Sequence, residues 1–259
     1  MTKLKPFIIL LTVLILFGFL WVGKQLLDNG INTDNQFHPP KRPQFGSIIN
    51  IDDKKKAFFD YLTPFVKEAN KQILLDRQVL EELSQDPSKI DPDSHFIENL
   101  SEEYDLAIPK DGITSEWLNE LLKRVNIIPT QLVLAQSAME SSWGTSRFAL
   151  EGNGFFGQWC FTKGCGIPPH DLDPEHYHEV QSFPTVYAAV KAYFDNINTN
   201  DAYAELRTIR AKLQANHEKI TADALAHGLL NYSQIGHQYI QQVLELIKTN
   251  QQFMPETTT

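Results

Sequence analysis

Cysteine is scarce in this chain. Its 259 residues include only Cys160 and Cys165. A zinc module built on paired cysteines needs a second ligand pair, and no matching Cys pair occurs elsewhere; in an exported domain the spacing of these two permits a local loop disulfide. Basic charge is also short. Twenty-three Lys and Arg face 32 Asp and Glu, a formal net charge of -9. That argues against a general nucleic-acid binder, because phosphate neutralisation needs Lys and Arg. A neutral polymer such as a polysaccharide is compatible with it. There is no internal repeat and no His-Glu-x-x-His metal motif. His170, His176 and His178 do share a stretch with Asp171, Asp173 and Glu175. Without tight ligand spacing, loop composition explains that cluster, and neither metal nor cofactor is expected.

Long apolar runs are absent except at the N-terminus. Lys3 and Lys5 precede an apolar run over residues 7–22, and Lys24 follows it. At about 1.5 Å per residue the run is slightly short for a bilayer core. Gly23, Leu26 and Leu27 extend it while Lys24 can snorkel. No small-x-small cleavage site follows, so the pattern favours an uncleaved signal anchor over residues 1–27. The positive flank keeps the N-terminus cytoplasmic and sends the rest outward, giving a single-pass inner-membrane protein with a periplasmic domain. Residues 28–50, with Pro39-Pro40-Lys41-Arg42-Pro43, read as a stiff linker.

Helical periodicity dominates the remainder. From Asp52 to about Ser84, Phe58, Phe59, Tyr61, Leu62, Phe65, Val66, Ile73 and Leu74 recur at three- and four-residue steps. Residues 51–128 form a helical extension and 129–250 the main domain, with a disordered tail over 251–259. Pro129 opens a helix ending at Glu140. Glu179 to Phe183 suggests a short strand, one arm of a hairpin. A final helix spans roughly Ser233 to Asn250. The expected fold is mainly α with a small β element.

Glu140 carries the chemistry. It ends an apolar helical run and is followed at once by Ser141-Ser142-Trp143-Gly144. An ordinary glutamate at a helix end is exposed. A carboxyl set in an apolar wall instead has its charged form disfavoured, so it keeps its proton nearer neutral pH and can donate it.

Residues 129–250 resemble the bacterial cell-wall glucosaminidases of glycoside hydrolase family 73, in particular the Bax-like branch. The matching residues are Gln136 through Gly144, Asn153-Gly154-Phe155-Phe156-Gly157-Gln158-Trp159-Cys160, Gly164-Cys165-Gly166-Ile167 and His178-Glu179-Val180. Asn198 through Arg207, Tyr232-Ser233 and Tyr239-Ile240 continue the series. The resemblance implies a lysozyme-like helical fold with two lobes, the smaller a β-hairpin, around a cleft. It implies an endo-beta-N-acetylglucosaminidase cleaving after N-acetylglucosamine in peptidoglycan, with Glu140 as general acid. A glycosidic oxygen is a poor leaving group unless protonated, which is the need such an acid meets.

A second carboxylate usually activates water or stabilises the transition state. By its position in the motif Glu179 is the best match, ahead of Glu175, Asp173 and Asp171; the alternative is a solvated loop carboxylate. The substrate's N-acetyl group could replace it. Tyr232 matches a tyrosine near the acid in the family. Tyr239, seven residues later, falls on roughly the same helix face and reads as more structural. Phe156 and Trp159 are candidates for stacking sugars, or for core packing. Gln136 lies one turn before Glu140 and can orient it. Two other functions fit the same residues: a lytic transglycosylase, and a wall-binding protein without turnover.

Overall fold

The computed structural model describes residues 37–170 and 177–255; the N-terminal apolar run and Asp171, Asp173, Glu175 and His176 lie outside them. No helix among the described residues is long and apolar enough to cross a membrane.

The described elements run in chain order as α1 (Ile51–Leu83), α2 (His95–Glu103), α3 (Ser115–Arg124), α4 (Thr130–Glu140) and α5 (Arg147–Gly152). Then come β1 (Trp159–Cys160), β2 (Gly166–Ile167) and β3 (Glu179–Gln181). The series closes with α6 (Val186–Thr199), α7 (Ala204–Ala215), α8 (Ala222–Ala226) and α9 (His237–Asn250). The domain is mainly helical, as expected. Its β element is a three-stranded antiparallel sheet in the order β1-β3-β2, one strand more than a hairpin.

α4 is the central helix. Leu132 through Ala138 are buried without interruption, so it has no solvent face, as befits a helix wrapped on all sides. α1, α8 and α9 pack around it, and α6 packs on α1. α1 starts where the Asn50 side chain accepts the amides of Asp52 and Asp53 at 2.9 and 3.0 Å, satisfying two donors that a helix start leaves open. Phe58, Phe59, Tyr61, Leu62, Phe65, Val66 and Ile73 are buried as their spacing predicts. Leu74 is not; it is exposed, because Ile73 occupies the inward position on that turn.

The stretch read as a linker is not free once it passes Pro39. Phe45 is buried against Phe58 and Tyr61, with ring centroids 5.5 and 5.7 Å apart. Arg42 lies 5.0 Å over the Phe155 ring and donates to the carbonyl of Ala149. A proline-rich composition describes the local stiffness of this segment, but one aromatic and one guanidinium dock it.

On the far side of the core, Arg210 of α7 is fully buried. Its guanidinium donates to the carbonyls of Lys123, Asn126 and Ile127 and to Asn198 Oδ1, at 2.7 to 3.2 Å. The Lys123 carbonyl belongs to the open last turn of α3 and the other two to the segment just after it, a place where a cation is favoured by charge and by hydrogen bonding alike.

Candidate active site

Glu140 sits at the last position of α4, and the chain turns sharply after it. Ser142, Trp143 and Gly144 take φ of 51, 58 and 74°. Two consecutive non-glycine residues in the left-handed region cost about 1–2 kcal/mol each, so other contacts must hold them. The Trp143 amide donates to Ala138 O at 2.9 Å, closing the helix end. Ser141 is buried; its hydroxyl donates to Ser137 O at 2.6 Å and accepts the Gly144 amide at 2.9 Å. The Trp143 ring packs edge-on against Phe58 and Phe59. The Ser-Ser-Trp-Gly run is therefore the reversal that stops α4 with Glu140 at the cleft.

That cleft encloses about 930 Å³ and is lined by Glu140, Phe156 to Trp159, Asn196, Tyr203 and residues 230–236. Glu140 is its single carboxylate among the described residues, set among amide, hydroxyl and aromatic groups. A second groove of about 990 Å³ runs along α9. Its described lining includes Gln241, Gln242 and Glu245 but no aromatic side chain, so it offers no surface for a sugar ring beside an acid.

Burial raises the pKa of Glu140 above the ordinary glutamate value, and a hydrogen bond from Tyr239 partly offsets this. The bond belongs to a directed chain. Tyr193 Oη donates to Gln136 Oε1 at 2.6 Å, Gln136 Nε2 to Tyr239 Oη at 3.1 Å, and Tyr239 Oη to Glu140 Oε1 at 2.9 Å. Every donor points toward the carboxyl. Glu140 Oε1 is thereby fixed as an acceptor, and Oε2 is the oxygen facing Gly157. At Gly157 φ is +63°, and a Cβ there would lie 3.2 Å from Oε2. Glycine both permits the turn and leaves room beside the acid.

The structure brings together some of the residues expected from sequence and separates others. Gln136, read as orienting Glu140, and Tyr239, read as more structural, are both buried and reach Glu140 from behind, Gln136 through the Tyr239 hydroxyl. Tyr232 lines the cleft, but its hydroxyl donates to Phe156 O at 3.1 Å and its ring stacks on Tyr239 at 5.2 Å. It lies in a turn, not at a helix start. α9 begins only at His237, after Gly236 at φ 49°, four residues later than periodicity predicts. Phe156 is buried, with its ring stacked on Tyr193 at 4.3 Å; it backs the cleft and is no open platform. Trp159 is 55 % exposed at the cleft, one face covered by His178 at 4.0 Å.

Glu179 is not among the described residues lining the cleft. Its carboxylate accepts from the amides of Gly164 at 3.0 Å and Gly166 at 2.7 Å and from the Tyr177 hydroxyl. The Gly164 amide, then Tyr177 and the Gly166 amide, hold its pKa below the usual glutamate value. A carboxylate so engaged is a poor base. Cys160 and Cys165 are joined as a disulfide. With Glu179 they form the sole triad of close metal-ligand types among the described residues, and the bonded sulfurs are not thiolates.

Sequence reasoning passed over Asn196, Gln158, Leu230 and Ile235, which also line the cleft. Gln158 stood inside a quoted motif. Leu230 and Ile235 are exposed apolar residues in a turn, and only the tertiary fold shows which cleft they face.

A family model described as mannosyl-glycoprotein endo-beta-N-acetylglucosaminidase matches residues 115–252. The chain belongs to this glucosaminidase family. "Protein bax" of Escherichia coli (strain K12) is 30% identical to it over 201 residues, 78% of this chain and 71% of that protein. No solved structure matches. The family match starts at Ser115, so α3 falls inside it, while α1 and α2 precede it.

Another carboxyl of this glucosaminidase-family chain has a raised pKa and lies outside the cleft lining. Burial pushes Asp195 up to about 6, Lys191 opposes that, and Glu103 adds to it. Because the folded pKa exceeds the ordinary aspartate value of 3.8, the penalty is absent below that value and complete above about 6. Asp195→Asn is expected to raise stability by about 1–2 kcal/mol at pH 8, less than the roughly 3 implied by the shift because the carboxyl is only part-buried and solvent screens it. The gain should vanish near pH 4. Urea unfolding at the two pH values checks it; equal effects at both would refute the assignment.

Proposed function

We propose that the chain is a peptidoglycan glycosidase, an endo-beta-N-acetylglucosaminidase whose general acid is Glu140. The observation that carries this reading is the position of Glu140: half-buried at a cleft wall, its pKa raised by burial, and its Oε1 held by Tyr239 so that Oε2 faces the open space beside Gly157. In this reading Oε2 carries the proton and gives it to the glycosidic oxygen as the bond breaks. Asn196 and Asn231 supply amide groups suited to sugar hydroxyls and N-acetyl groups, and Trp159 supplies a ring for stacking. The cleft sits between helical and β elements, as a two-lobed lysozyme-like domain requires.

The lone described carboxylate of the cleft supports attack assisted by the substrate's own N-acetyl group. It also favours a second reading, a lytic transglycosylase, in which a muramic-acid hydroxyl attacks and no water needs activation. Mass spectrometry of products released from cell walls separates the two. Reducing N-acetylglucosamine ends are expected; 1,6-anhydro-muramic ends would replace the hydrolase by the transglycosylase. Tight wall binding with no product at high protein concentration would overturn both in favour of a non-catalytic binder.

We also place the domain in the periplasm, held by residues 1–27 at the inner membrane. The support is the Lys3 and Lys5 flank, the apolar run and the absence of a cleavage site in the sequence.

A further inference from the structure

We propose that Glu179 and the Cys160–Cys165 disulfide form one tether that positions Trp159 at the cleft, making Glu179 a positioning residue for glycan binding. The proposal rests on the glycosidase reading for its substrate but stands on contacts independent of turnover. β1 and β2 both pair with β3, with Cys160 opposite Glu179 and Ile167 opposite Val180. The loop between β1 and β2 carries exposed Phe161 at its start and the disulfide across its base. Two-residue strands with few ladder bonds cannot hold such a loop alone. Glu179 supplies what they lack. Its two oxygens accept the amides of Gly164 in the loop and Gly166 at the start of β2, and the Tyr177 hydroxyl.

The tether lies directly beside the cleft aromatic. Trp159 precedes Cys160 and pairs with Val180, while its ring stacks on His178, the residue before Glu179. The Gln181 amide donates to Gln158 O at 2.8 Å, continuing β3 against the segment that faces Glu140. Gly166 shows how closely the strands are drawn together: a Cβ there would lie 2.0 Å from Val180 O. A glutamine at 179 keeps the shape but replaces one acceptor oxygen by a donor, so one backbone amide or the tyrosine loses its partner.

The test is a double-mutant cycle on the full chain, read by kcat and KM on cell walls and by affinity for an N-acetylglucosamine tetramer. Glu179→Gln is expected to raise KM and weaken tetramer binding about tenfold, the size of one lost aromatic platform, with kcat held within about threefold. In a Trp159→Ala background the same substitution should add little, because its effect passes through Trp159. Cys160→Ser with Cys165→Ser, which leaves the carboxylate in place, should reproduce the pattern, with far-UV circular dichroism unchanged from the parent. A fall in kcat of a hundredfold or more at constant KM would instead make Glu179 a reacting group and overturn the proposal. Additive losses with Trp159→Ala, or no loss at all, would overturn it as well. If the parent chain binds the tetramer but releases no product, the glycosidase reading fails while the binding arm of the cycle still decides the tether.

Discussion

Glu140→Gln should reduce release of products from cell walls by about 10²–10⁴-fold, the range expected when a general acid is removed. The loss should appear in kcat, because proton donation is realised only in the transition state. Glutamine keeps an oxygen for the Tyr239 hydroxyl, now 2.9 Å from Oε1, so the chain from Tyr193 through Gln136 stays intact and the cleft keeps its shape. Stability should move in the opposite direction. The folded-state pKa of Glu140 is raised by burial, so the ionised form is penalised in the fold. That penalty is present above the folded pKa and absent below the unfolded one. Removing the charge should therefore leave the unfolding midpoint equal or higher at pH 8 and unchanged at low pH. Activity in the parent should fall as pH rises through the raised pKa, since protonated Glu140 is the working form. Retained product release, or loss accompanied by a lower midpoint at pH 8, would remove Glu140 from the acid's role.

Glu140 was legible in the sequence because its setting is local: an apolar helix, a terminal carboxylate and a turn, all within fifteen residues. The helices were legible for a similar reason, since three- and four-residue spacing reports a buried face wherever that face lies. What escaped depends on partners distant in sequence. The same run of proline and lysine reads as a linker whether or not Phe45 finds Phe58. Tyr232 and Tyr239 are seven residues apart and would share a helix face, but Gly236 at φ 49° delays the helix. The two rings come to stack by chain reversal. Glu179 was placed correctly on a short strand. Its chemistry is set by the backbone amides of Gly164 and Gly166, and no spacing rule reveals which way a backbone N–H will point. Trp143 is the sharpest case. It stands three residues from the acid, where a sugar platform would be useful, yet it packs on Phe58 and Phe59.

That packing leads to the largest stability effect expected. Phe58→Ala should destabilise the fold by about 3–5 kcal/mol, the cost of a phenylalanine cavity in a core. Phe58 is fully buried and its ring meets Phe45, Phe59, Trp143 and Phe155 at centroid distances of 5.5 to 6.2 Å. Such a cluster cannot collapse into the void by moving one side chain, so the loss should sit in the upper part of that range. For a domain of ordinary stability, about 5–15 kcal/mol, it removes a large share of the total. Leu74→Ala on the same helix is the control. Leu74 is 49% exposed, and its truncation should change stability by no more than about 0.5 kcal/mol. The effect on activity should follow geometry. Phe58 holds Trp143, Trp143 lies in the left-handed turn that ends α4, and that turn sets where Glu140 stops. Phe58→Ala should therefore lower kcat even at temperatures where the chain remains folded, while Leu74→Ala leaves it unchanged. Urea unfolding together with wall-hydrolysis rates for both variants tests this. Normal turnover by folded Phe58→Ala would mean that α1, which precedes the family match, supports the domain without shaping its acid.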